Sequence, residues 1–326
     1  MKVTVLGAGA WGTALARVLQ TGGQDVTLWG HAPAHLEEMR RTRRNERYLS
    51  GIELPLDLQY ATDLPAALAG ADWVVVAVPS KALRAVTSLL GDFSGGVVSV
   101  TKGIEHHTGL TMCGVLAETA PRARRAALSG PSFAVEVARG IPTAIVAASA
   151  DPATAKAVQL LFHRPAFRVY TSQDLAGVEL GGALKNVIAI AAGICDGLGF
   201  GDNSKAALVT RALAEMRRLG VAAGAQAETF SGLSGLGDLM VTCFSKLSRN
   251  RGFGERVGRG EGIPAIIASM TAVAEGYPTA RSAAELSRKL GVEAPIVEEV
   301  HAMLYLGKNP GQALQDLITR VSKAED

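Results

Sequence analysis

The chain is 326 residues long, 48% hydrophobic and 19% charged, with a net charge of +3. That composition excludes a disordered chain, the length suits two cores better than one, and so weak a charge gives no sign of a nucleic-acid partner. Three widely spaced cysteines (Cys113, Cys195, Cys243) form no CxxC pair, which predicts reduced thiols in a cytoplasmic protein without a metal site.

Met1 leads straight into the strand-like run KVTVL (2–6), so no signal peptide is expected. No apolar run approaches the length of a membrane span, since WVVVAV stops at Pro79. After KVTVL comes a glycine turn, then a helical pattern over 11–23 closed by glycines. DVTLW (25–29) is a second strand, and a helix rich in Glu and Arg spans about 33–44. ADWVVVAVPS (71–80), GGVVSVTKG (95–103), RAALSGPS (125–132) and PTAIVAAS (142–149) predict further strands. Their unbroken Val, Ile and Ala runs imply burial on both faces, as in a parallel sheet covered by helices. The alternation predicts an α/β doubly wound, Rossmann-type domain over 1–170. From about 171 the strand runs stop and helical patterns cover 174–194, 204–220, 264–275, 279–290, 295–306 and 310–323. An all-α domain over 171–326 is therefore expected, with the ligand site in the cleft between the two.

Gly7-Ala8-Gly9-Ala10-Trp11-Gly12 is a GxGxxG that follows a strand and opens a helix. In that context Gly7 makes the turn, Gly9 admits a pyrophosphate and Gly12 lets helix and strand pack closely. NAD-selective sites place Asp or Glu at the end of the second strand. Gly30 and His31 stand there instead, with Arg40, Arg41, Arg43 and Arg44 nearby, so NADP(H) is expected to be accepted and preferred. The alternative is that those arginines form a solvated helix face.

Lys102 ends a strand, where parallel sheets face their ligand crevice. Ser132, after Gly130 and Pro131, reads by itself as a helix cap. Gly235 and Gly237 bracket a turn ending in Asp238, and ten residues later Ser248-Arg249-Asn250-Arg251 offers a fork for phosphate or carboxylate. Arg256 and Arg259 read as an exposed basic loop, Asn203 or Ser204 as a helix cap, and Arg211 with Glu215 as an exposed i,i+4 pair. In GGALKNVIAIAAGI (181–194), Lys185 is the lone charge. Helical spacing places Gly181, Gly182, Ala189 and Ala192 on its face, which is expected to open on the cleft. A substrate oxygen, Asp238 and Asn186 are its expected partners.

Together, GAGAWGTALA, VAVPS, TKGIE, LSGPSFAVEVARGIPTA, GGALKNVIAIAAGICDGLGFGDNSKAAL, GLSGLGDLMVTCFSKLSRNRGFG and AVAEGYPTA span nearly the whole chain. In these pieces the chain resembles the bacterial NAD(P)-dependent glycerol-3-phosphate dehydrogenases. The resemblance implies a helical domain like that of 6-phosphogluconate dehydrogenase and reversible NAD(P)H-dependent reduction of dihydroxyacetone phosphate to sn-glycerol 3-phosphate, supplying glycerophospholipid biosynthesis. It implies that Lys185 transfers the proton and that Lys102, Gly130, Ser132, Asp238, Ser248, Arg249 and Asn250 contact substrate. Gly7, Gly9, Ala10, Trp11, Gly12, His31, Lys102, Ala134, Arg249, Val273 and Glu275 would contact NADP(H) or NAD(H). Ala10 stands where many members carry Ser. Family members are commonly dimers, so a homodimer is expected.

Overall fold

The computed structural model describes residues 1–320. Its strands are β1 (Lys2–Leu6), β2 (Asp25–Trp29), β3 (Arg44–Asn45), β4 (Leu49–Glu53), β5 (Gln59–Ala61), β6 (Trp73–Val76), β7 (Gly96–Ser99), β8 (Arg124–Ser129), β9 (Thr143–Ala148) and β10 (Phe167–Ser172). Eight of them form one sheet in the order β10-β9-β8-β7-β6-β1-β2-β5, while β3 and β4 pair as a separate antiparallel ribbon. Every pairing in the large sheet is parallel except β8 with β9. Val3, Val5, Val26 and Val98 fill a core on one face, and Leu6, Val74, Val76 and Val97 a core on the other. Double-sided burial is why those runs are unbroken in the sequence.

The helices α1 (Ala10–Thr21), α2 (Pro33–Thr42), α3 (Leu64–Leu68), α4 (Ser80–Thr87), α5 (Met112–Thr119), α6 (Ala134–Ala138) and α7 (Pro152–Phe162) accompany the sheet. Then come α8 (Leu175–Gly197), α9 (Asp202–Ala222), α10 (Asp238–Phe244), α11 (Arg249–Gly258), α12 (Ile263–Ser269), α13 (Gly276–Leu290), α14 (Pro295–Tyr305) and α15 (Pro310–Ile318). The last strand, β10, ends at Ser172, two residues past the expected domain boundary, and Asp174 caps α8 through Gly177 N. The final part of the expected 310–323 helix, from 321 on, lies outside the described residues.

Several expectations change. β10 escapes the sequence reading because it alternates, with Phe167 and Val169 buried and Arg168 and Tyr170 exposed. β3 and β5 are too short to show a pattern. Arg256 of the basic loop expected with Arg259 lies on the helix α11, which Arg259 immediately follows; Arg259 pairs back with Glu255 of the helix, and Arg256 reaches forward to Glu261. The glycines of α11 hide the helical pattern because they serve packing. A Cβ on Gly254 would lie 2.0 Å from the Ile190 carbonyl of α8, and one on Gly193 would lie 2.0 Å from the Arg251 carbonyl. Two backbones in contact leave room only for glycine. The expected 264–275 helix stops at Ser269, and the segment after it crosses to the sheet domain. Gly201, not Asn203 or Ser204, caps α9. Glu215 is not an exposed partner of Arg211: it is 1% exposed and accepts hydrogen bonds from Ile296 N (3.0 Å) and Val297 N (2.9 Å).

Among the described residues one helix is, contrary to expectation, long and apolar enough to cross a membrane: α8, with a mean hydropathy of 1.5 over its best window. That window is wholly enclosed by protein, so its apolarity builds the helical core.

Candidate functional site

In a parallel sheet all strands deliver their following residues to one edge. Gly7 follows β1, Ser80 follows β6, Lys102 follows β7 and Gly130 follows β8, and these four strands are neighbours. Between β2 and β6 the strand order reverses around β1, which is where such sheets open a crevice.

The glycine turn has the expected construction. Gly7 adopts φ +118°, and a Cβ there would lie 2.6 Å from the Ala77 carbonyl. A Cβ on Gly12 would lie 1.9 Å from the Gly7 carbonyl, whereas one on Gly9 would meet nothing within 4 Å. Two glycines therefore serve packing, and the third leaves an open approach. Gly9 also caps α1 without any side-chain acceptor, so the helix start presents its N–H groups to an anion. This cradle fits a dinucleotide pyrophosphate. Asn45, which no sequence pattern marks, steadies it: its amide donates to the Ala8 carbonyl (3.0 Å) and to Thr13 Oγ1 (2.8 Å). Trp11 and Ala134 share one small apolar cluster beside the turn.

At the end of β2, His31 is exposed and Gly30 donates to the Ala61 carbonyl. Three of the four arginines are engaged with carboxylates: Arg40 with Glu37 (2.7 Å), Arg43 with Glu53 and Arg44 with Glu46 (3.6 Å). Among the described residues only Arg41 of the four lacks an ion-pair partner.

Across the cleft, two ammonium groups share one buried carboxylate. Lys102 Nζ lies 2.5 Å from Asp238 Oδ2, and Lys185 Nζ lies 2.6 Å from Asp238 Oδ1. Lys185 also donates to Thr242 Oγ1 at 2.6 Å. Thr242, one turn beyond Asp238 on α10, takes the place expected for Asn186 and would have been visible at i+4 had that helix been recognised. A single π-helical turn (Leu233–Gly237) leads into α10. The small face of α8 is filled by protein rather than left open: a Cβ on Gly181 would lie 2.7 Å from the Ser234 carbonyl, and one on Gly182 2.7 Å from Ser129 Oγ. Lys185 is 6% exposed, and burial pulls its pKa down to about 8. The charge of Lys102 pushes the same way, and Asp238 opposes both.

Lys102 Nζ also reaches the Gly130 carbonyl at 3.4 Å, and Ser132 Oγ donates to that carbonyl at 2.9 Å. Ser132 is thus no helix cap; Phe133 precedes α6 without one. Gly130 adopts φ +144°, a conformation that favours glycine.

The start of α11 departs from a simple clamp. Ser248 caps it, accepting from Arg251 N at 3.2 Å. The Asn250 amide donates to Asn186 Oδ1 and accepts from Gly276 N, both at 2.9 Å, tying α8, α11 and α13 together. Arg251 turns away to Asp196 and Glu255. Arg249 remains open to solvent, yet enough protein surrounds it to lower its guanidinium pKa, against the opposing charge of Glu275. Glu275 itself accepts from Ser80 N (3.1 Å) and Ser80 Oγ (2.6 Å) at the start of α4, joining the two domains. Burial raises its pKa. Val273, two residues earlier, is partly exposed.

Residues 2–155 match the family model for the N-terminus of NAD-dependent glycerol-3-phosphate dehydrogenase, and 174–315 match the model for its C-terminus. The chain belongs to the NAD-dependent glycerol-3-phosphate dehydrogenase family. A glycerol-3-phosphate dehydrogenase [NAD(P)+] from Geobacter sulfurreducens is 52% identical, with 99% of this chain and 98% of that protein aligned. A relative of the same name from Chlorobium limicola is 49% identical over 100% of this chain and 99% of its own. The crystal structure of a glycerol-3-phosphate dehydrogenase from Coxiella burnetii superposes with a TM-score of 0.94 at 39% identity, covering 98% of this chain and 99% of that one. Membership makes the chain an NAD(P)-dependent oxidoreductase with a sheet domain for the dinucleotide and a helical domain after it.

Proposed function

We propose that this chain reduces dihydroxyacetone phosphate reversibly to sn-glycerol 3-phosphate, with Lys185 as the proton-transferring group. The observation that carries the assignment is the buried Lys102–Asp238–Lys185 cluster at the carboxyl edge of the sheet. Two ammonium groups on one carboxylate leave a net positive charge, which suits a ketone oxygen that becomes negative during reduction. Residues 1–170 are the dinucleotide-binding domain, which also lends Lys102, Gly130 and Ser132 to the substrate, and the helical substrate domain from 171 on lends Val273 and Glu275 to the cofactor. Gly7, Gly9, Ala10, Trp11, Gly12, His31, Ala134, Val273 and Glu275 would hold the dinucleotide, which when bound would supply the hydride. Lys185 gives its Nζ proton to the ketone oxygen in reduction and takes it back in oxidation. A pKa of about 8 places both forms within reach of neutral pH. Asp238 and Thr242 aim the ammonium. Lys102, Gly130 and Ser132 hold the carbonyl end, and Arg249, with the Ser248-capped start of α11, attracts the phosphate. Asn250 orients this region through Asn186 and keeps one amide proton for the substrate.

NADP(H) is the preferred cofactor in this reading, because no carboxylate stands at Gly30 or His31 and Arg41 has no ion-pair partner among the described residues. A homodimer acting in the cytoplasm and feeding glycerophospholipid synthesis completes the proposal. Side-by-side oxidation of NADPH and NADH with dihydroxyacetone phosphate tests it. Faster turnover with NADPH, and little with unphosphorylated dihydroxyacetone, is expected. Equal turnover of the two ketones overturns the phosphate assignment, and a strong NADH preference overturns the cofactor one.

A further inference from the structure

Among the described residues, Glu179 is a buried carboxylate without a cation partner. It lies on α8, six residues before Lys185, and is 8% exposed. Its oxygens accept from Cys113 N and Thr111 Oγ1, both at 2.8 Å. Burial raises its pKa, and only hydrogen bonds oppose the shift. Proteins seldom keep such a group without use, because an unpaired buried charge is costly.

Its two partners are the cap of α5 and the second residue of that helix. Glu179 thus serves the start of a helix in the sheet domain from a helix of the other domain, where a negative charge is favoured. The segment between Lys102 and α5 is a closed turn. Ile104 bridges Thr111, and Glu105 N donates to the Leu110 carbonyl at 2.8 Å. Lys102 stands two residues before that bridge, and its own Nζ lies 2.5 Å from Asp238. A continuous circuit results: Lys185, α8, Glu179, Thr111, the bridged turn, Lys102, Asp238 and back to Lys185.

We propose that Glu179 is a positioning residue, which holds the bridged turn against α8 so that Lys102 meets the Asp238 carboxylate. Its role rests on Lys102 binding substrate, as assigned above.

The test is a double-mutant cycle on the full chain, read as kcat/KM for dihydroxyacetone phosphate with NADPH. Glu179→Ala should lower kcat/KM on the order of 10- to 100-fold, the scale of a misplaced binding group. Glu179→Gln should recover most of the loss, because its amide oxygen takes the Cys113 N–H and its NH2 donates to a turned Thr111 hydroxyl. In a Lys102→Ala background, Glu179→Ala should add little, since both remove one function. Losses that multiply, or an unimpaired Glu179→Ala enzyme, overturn the proposal. If Glu179→Ala fails to fold, Thr111→Val goes through the same cycle with Thr111→Ser as its rescue, and the same outcomes decide. Full activity of Lys102→Ala alone overturns the site reading itself, a result recognisable without any Glu179 variant.

Discussion

Replacing Asp238 with Asn removes the one negative charge between two ammonium groups while keeping the side chain's shape. Asp238 Oδ1 lies 2.6 Å from Lys185 Nζ and raises its pKa, whereas burial and Lys102 lower it. The balance in the native enzyme is about 8. Without the carboxylate, burial and Lys102 are opposed only by the smaller raising influence of Cys243, and an opposite charge at the range of Asp238 is worth roughly 1–3 pKa units. The limb should therefore move down to roughly 5–7. At pH 7 a group of pKa 8 is about 91% protonated and one of pKa 6 about 9%, so the supply of acid for ketone reduction falls roughly tenfold. The assay is kcat/KM for dihydroxyacetone phosphate between pH 5.5 and 9.5, compared between native and Asp238→Asn enzymes so that the substrate's own ionisation cancels. In the native enzyme reduction should decline above about 8 and oxidation of glycerol 3-phosphate should rise through the same range. A limb that stays in place, or moves up, refutes the electrostatic account of Lys185.

Lys185→Ala should cut kcat by roughly 10²–10⁴-fold, the usual loss of a general acid, with NADPH binding by fluorescence retained; near-native kcat removes Lys185 from the chemistry. Arg249→Ala should raise KM for dihydroxyacetone phosphate more than it lowers kcat, and an unchanged KM returns Arg249 to the status of a solvated side chain. Glu215 supplies a stability test. Burial raises its carboxyl to about 7 from an ordinary 4.5. The folded state then binds more protons than the unfolded one between those values, so stability falls as pH rises through that window, by up to roughly 3 kcal/mol. Glu215→Gln should flatten the pH dependence of Tm between 5 and 8, and an unchanged slope refutes the assignment.

The glycine turn was legible in full because its chemistry is local. Gly7, Gly9 and Gly12 are set by the φ, open approach and backbone contact of one strand–turn–helix unit. The buried parallel strands were equally plain, since double-sided burial writes an unbroken apolar run. Lys185 stands out because an ammonium in an apolar helix needs a partner, and Asp238 is one. Beyond that point local pattern fails. The glycines of α11 mask its helical pattern, yet Gly254 with Gly193 is where α8 and α11 touch. Asn45 carries no local signature, because it gains its role from residues more than thirty positions away, and Thr242 goes unseen because the short helix that sets it one turn from Asp238 does. Asn250 reads as a ligand contact, and no local pattern shows that its amide also bonds Asn186 and Gly276. Glu179 and Glu215, two acids on ordinary helical patterns, are buried against the starts of other helices. Sequence by itself determined the residues that bend the backbone or must be buried, for those demands act on near neighbours. Tertiary structure alone decided which charges share a carboxylate and which amides are already bonded. Those pairings join residues tens to hundreds of positions apart, and their energies arise only when water is excluded between them.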